Sequence, residues 1–158
     1  MTITTDRQFN RYSIAYFDFE KAEAFAKEAE SHHQSTLAFE ALVFAAIVSY
    51  YRPFSPNEKD PLAPAESQLR IEDIVDLSPE EQELHNRCKT LRNKALAHSE
   101  FSFNPTRLDP YSRVVASRPF SLLNQPIAVD ALRALLEKLI RACHLKRGNY
   151  ALHKEPND

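Results

Sequence analysis

Glycine is nearly missing from this chain: Gly148 is the only one in 158 residues. Tight β-hairpins draw on Gly or Asn-Gly where φ must be positive, so an all-β fold is not expected. Cysteine is scarce too, and Cys88 and Cys143 each fall inside an apolar helical stripe. The N-terminal stretch MTITTDRQFNRYS has no apolar core of a secretory leader. Both thiols are therefore expected to be reduced core residues of a cytoplasmic protein. Long hydrophobic runs are absent as well. The longest, Ala41 to Val48, falls far short of the ~20 residues of a membrane span, and no membrane partner is expected. There is no Gly-rich phosphate loop, no G-x-S-x-G and no H-E-x-x-H. That argues against ATP hydrolysis and zinc hydrolysis, and neither a cofactor nor a metal is expected.

What is present reads as one helical domain spanning 1–158. Hydrophobic residues make up 43% and charged residues 27%, an ordinary globular composition at a length that can bury a core without staples. The formal charge of −2 argues against a broad cationic surface for duplex DNA. Charge is nonetheless segregated. Arg87, Lys89, Arg92 and Lys94 occur with no acidic residue among them, and Arg133, Lys138, Arg141, Lys146 and Arg147 face only Glu137 in their stretch. Residues 18–30 are acidic overall. Solvated helix faces produce such patterns often, so the segregation alone assigns no partner.

The apolar spacing predicts four helices. The first runs from about Ile14 to His32 through Ala15, Phe19, Ala22, Phe25, Ala26 and Ala29. The second, from about Thr36 to Tyr51, is apolar nearly all round and is expected to be the most buried element. Residues 52–78 carry Pro53, Pro56, Pro61 and Pro64, too dense for helix, with a short helix conceivable at 66–76. Such long connections tend to be functional, and this one is expected to border a cleft. Ser78-Pro79-Glu80-Glu81 opens the third helix as a capping box with proline at the first turn. A second connection spans 99–126, with an extended piece at Ser112 to Ala116. The fourth helix is expected from about Ala128 to Lys146, closed by Lys146-Arg147-Gly148, with a loose tail over 149–158. Together these imply an all-α, antiparallel four-helix bundle with long proline-rich connections.

The third helix raises a separate question. Leu84, Cys88, Leu91 and Ala95 account for its buried stripe, yet Arg92, Asn93 and His98 crowd its end. On a straight helix Arg92 and His98 lie about 240° apart and do not share a face. A bend at Ala97 to Ser99, or a second subunit, would bring them together; spacing does not choose between the two. A plainer reading stands beside both: His98 as a dipole partner at the helix end, and Arg92 paired with an acidic residue of the first helix such as Glu28. His32-His33 reads as a polar helix end, and Tyr50-Tyr51-Arg52 as closing one end of the bundle. His85 and Cys88 have no further ligands spaced to complete a metal site.

The segment RNKALAH, residues 92–98, resembles the signature of the HEPN superfamily: arginine, a polar residue, then histidine after four to six positions. The phrase LRNKALAHSE resembles small bacterial members of that family. The resemblance covers the motif, and beyond it only the architecture. It implies a helical bundle, a homodimer, and in many members metal-independent RNA cleavage in toxin–antitoxin or phage-defence systems. Other members are catalytically silent partners of a nucleotidyltransferase or an antitoxin. Carried over, His98 would be the catalytic histidine, Arg92 the phosphate-directed group and Asn93 the polar positioner, with Lys89 and Lys94 adding RNA-backbone attraction. These residue types suit the chemistry. Histidine exchanges protons near neutral pH, arginine presents a planar charged fork to phosphate oxygens, and the implied products are a 2′,3′-cyclic phosphate and a 5′-hydroxyl.

Overall fold

A computed structural model describes residues 7–56, 68–96, 106–108, 111, 115–117, 121–122 and 127–153. Helix dominates. The elements are α1 (Arg7–Ala29), α2 (Leu37–Tyr51), α3 (Pro79–Thr90) and α4 (Val129–His153), with short strands β1 (Thr106–Leu108) and β2 (Val115–Ser117) between the last two helices. The strands pair antiparallel, Arg107 opposite Ala116. Of the piece expected at Ser112 to Ala116, Val115 and Ala116 lie in β2 and 112–114 lie outside the described residues; β1 was not anticipated.

The central helix is α1, which packs along both α2 and α4. Its inner face carries Ala15, Ala22, Ala26 and Ala29, all fully buried beside Phe19. Alanines favour the helix and leave little between neighbouring backbones, so two helices can lie close against one. The helix begins at Arg7, well before the expected Ile14, because Arg11 occupies a core position that apolar spacing does not register. Arg11 is fully buried. Its guanidinium donates to the carbonyls of Pro53 and Arg52 in the 3₁₀ turn that follows α2. Without a donor there, each carbonyl left buried would cost about 1–3 kcal/mol.

By share of buried residues α2 is the most buried of the four helices, as expected, yet it is not buried all round. Val43, Ala46, Ile47, Tyr50 and Tyr51 face inward, but Leu37 is 80% and Val48 37% exposed. Because α1 takes the centre, α2 presents a second apolar stripe outward. The stretch Leu37–Phe54 has 18 residues at a mean hydropathy of 1.3, enough by length and composition to cross a bilayer. Its polar groups are nevertheless used within the protein. Glu40 accepts from the Leu122 N–H at 2.7 Å, and the Tyr50 hydroxyl lies 2.8 Å from His85 Nδ1.

The start of α3 is as its local sequence predicts. Ser78 Oγ accepts from the Glu81 N–H at 3.2 Å, Glu81 Oε2 accepts from the Ser78 N–H at 2.8 Å, and Pro79 takes the first turn. At the far end of the chain the expectation needs correction: α4 does not stop at Lys146-Arg147-Gly148 but continues through Gly148 to His153, so residues 149–153 are not a loose tail. A helix-interior glycine costs about 1 kcal/mol. Tyr150 offsets this by packing edge-on against Phe9 at 6.3 Å, lying beside Tyr12, and donating its hydroxyl to Gln8.

Cys88 and Cys143 are buried and unpaired by disulfide, and burial pushes each thiol up to about 12. Both stay protonated core residues, as their apolar stripes suggest.

Candidate functional site

Three successive turns of one helix build the site. His85, Lys89 and Arg92 are spaced i, i+4 and i+7, which places them on one face. At Leu91 the α-helix widens into a π-helical segment that runs to Leu96, across the first five residues of the RNKALAH motif. Such widenings are rare and frequently mark functional sites. Nothing in the apolar spacing foretold it.

Arg92 and Asn93 come together here. Arg92 Nη1 donates to Asn93 Oδ1 at 2.9 Å, and both side chains are half-buried. Glu28, the acidic partner considered for Arg92, is instead engaged with His32 at 3.5 Å and Ser31 at 3.3 Å. Among the described residues no carboxylate pairs with Arg92 or Lys89. The Lys94 side chain and the whole of His98 lie outside the described residues, so the motif is seen at its arginine end only.

Arg92, Asn93 and Lys89 line one open cavity of about 480 Å³. Tyr51 and Phe54 contribute aromatic rings to its lining, and residues 68–72 contribute Arg70 and Glu72. Both described ends of the proline-rich connection thus border the cavity that holds Arg92, as its position before α3 suggested. Three permanent cations against one carboxylate make this an anion-favouring concavity.

The residue that sequence reasoning passed over is His85. It was weighed only as a metal partner of Cys88, although its spacing from Lys89 and Arg92 was plain. His85 is 8% exposed and lines the same cavity. Phe54 meets its ring edge-on at 5.0 Å and Tyr51 lies at 5.7 Å. Burial pushes its imidazole below the ordinary histidine range, with Glu72 opposing and Lys89 reinforcing that shift. Burial likewise holds the Tyr50 phenol well above its usual range, so it remains protonated. Tyr51 is raised by burial and partly drawn back by the Arg92 charge. His32 and His33 are spent locally, on Glu28 and on Ser35 at 2.7 Å.

Comparison of the chain with protein-family models, with curated proteins and with solved structures found no match.

Proposed function

We propose that this chain is a metal-independent endoribonuclease of the HEPN type, acting within a toxin or phage-defence system in the cytoplasm, with Arg92, Asn93 and His98 as its site. One observation carries the reading: Arg92, Asn93 and Lys89 line a single cavity with Arg70, and no carboxylate among the described residues neutralises Arg92 or Lys89. Unpaired cations beside aromatic rings suit a phosphodiester with its base. In this reading Arg92 binds a non-bridging phosphate oxygen, Asn93 fixes the guanidinium, and His98 moves the proton of the attacking 2′-hydroxyl.

The bundle is antiparallel in this reading, and three contacts support that. Arg11 brings the start of α1 to the turn after α2. Arg133 ties the start of α4 to Glu30 at the end of α1, and Tyr150 returns the end of α4 to Gln8. The active form is a homodimer, in which a second copy of the motif completes the cleft.

The test is RNA cleavage by the purified protein. Cleavage is expected to leave 2′,3′-cyclic phosphate ends, to be unaffected by EDTA, and to fall about 10²–10⁴-fold in His98→Ala with RNA affinity retained. Cleavage that survives His98→Ala, or that stops on chelation, overturns the assignment. RNA binding with no cleavage by the wild type would instead make the chain a silent module of the kind that partners a nucleotidyltransferase or an antitoxin.

A further inference from the structure

The cavity contains one titratable ring for which the proposed reaction has no use. His85 has a satisfied side and an open side. Its Nδ1 lies 2.8 Å from the Tyr50 hydroxyl, while its Nε2 makes no hydrogen bond with any described residue. A tyrosine hydroxyl both donates and accepts. It can donate to Nδ1 of the neutral ring and accept from Nδ1–H of the charged one. The Tyr50–His85 bond therefore survives protonation.

Burial, rather than the charge around the ring, favours the neutral form while the cavity is empty. Tyr50 and Tyr51 from α2 are uncharged phenols; Glu72, from residues 68–72, attracts the charged ring, and Lys89 from the histidine's own helix repels it more weakly. Arg70 and Arg92 line the same cavity. An anion entering among the three cations would add further negative charge beside the ring.

We propose that the cavity is a proton-coupled phosphodiester site, in which His85 takes up a proton from solvent as a nucleic-acid phosphate settles against Arg70, Lys89 and Arg92. This rests on the cavity being the phosphate site of the proposed nuclease, but not on cleavage. The ring acts as a binding residue: Nε2–H faces the phosphate, proton uptake at Nδ1 puts a positive charge behind that donor, and the charge fades as pH rises. RNA binding would thereby weaken from mildly acid to mildly alkaline conditions.

The probe is the deoxydinucleotide d(TpT), whose phosphodiester keeps one negative charge across the range used and lacks the 2′-hydroxyl that cleavage requires. The His85 ring is followed by NMR in the full-length wild-type protein between about pH 5 and pH 8.5, with and without saturating d(TpT). Its midpoint is expected to rise by about one unit, as an opposite charge within a few ångströms produces. Reciprocity then requires d(TpT) affinity to fall about tenfold across the same range. His85→Gln should bind d(TpT) with a flat pH profile, and Tyr50→Phe should show a reduced midpoint shift. An unchanged His85 midpoint in saturating d(TpT) overturns the proposal without any variant. So does a pH dependence of binding that His85→Gln fully retains. A shift with no RNA cleavage would sustain this site while refuting the nuclease reading; cleavage with a silent His85 would do the reverse.

Discussion

The two basic stretches of this chain look alike in composition and are used in opposite ways. Along α4, four of the five positive charges meet a partner within the fold. Arg133 reaches Glu23 at 3.0 Å and Glu30 at 2.8 Å on α1, and Lys138 reaches Glu81 and the Asp76 carbonyl, each at 2.7 Å. Lys146 lies 5.4 Å from the Tyr12 ring centroid and Arg147 4.6 Å from that of Tyr16. Along α3 and the π-helical segment, Lys89 and Arg92 line a cavity instead. What lies opposite explains the difference. The acidic stretch 18–30 meets Arg133 and Glu81 of α3 meets Lys138, while the face bearing Lys89 and Arg92 meets Tyr51, Phe54 and residues 68–72. A charge run thus becomes a stabilising seam or a binding surface according to what the fold sets opposite it.

Two substitutions test that contrast, and the larger effect belongs to the cavity. Arg92→Ala should lower RNA cleavage about 10²–10³-fold, the usual cost of removing one donor to developing charge. It should leave the thermal midpoint nearly unchanged, because no carboxylate among the described residues is stranded by the loss. Arg133→Ala should do the converse. Its side chain is 26% exposed, so screening keeps the loss modest, about 1 kcal/mol, and RNA cleavage should not change. Chemical denaturation and a cleavage assay on both variants are sufficient. Equal effects of the two on cleavage would erase the distinction between seam and site.

The parts of this architecture written locally could be read from the sequence; the parts written by tertiary contact could not. Ser78, Pro79 and Glu81 encode the start of α3 within four residues, and Thr36 caps α2 by the same kind of bond, accepting from the Phe39 N–H at 3.2 Å. The beginning of α1 was hidden because Arg11, a residue type normally at the surface, satisfies carbonyls from a turn 41 residues further along. The end of α4 was misplaced because Gly148 suggests a cap, whereas Tyr150 holds the helix together through residues of α1. Arg92 and Asn93 were legible as a pair with chemistry. The π-helical widening beneath them was not, since no residue preference signals it; the segment packs against α2. His85 was legible by spacing but had no motif to single it out.

The smallest expected effect lies in the seam and appears with acid. Glu81 is held below the ordinary glutamate range first by its hydrogen bond to Lys138 and then by the Ser78 N–H of the capping box. A carboxyl whose value is lower in the folded state binds protons less readily there than in the unfolded chain. Its contribution to stability is therefore complete above the unfolded value of about 4.3 and is lost as pH falls through the depressed folded value. Lys138→Met removes the larger cause and leaves the Ser78 bond. Between pH 7 and pH 3 the wild type should lose more stability than Lys138→Met, so the gap between their denaturation midpoints should narrow as the solution is acidified. Arg92→Met offers the control from the other side of the comparison. With no described carboxylate tied to Arg92, its gap from the wild type should stay level over the same range. A gap that closes equally for both variants would mean that Glu81 is not the group being titrated, and that the two basic stretches differ less than their partners suggest.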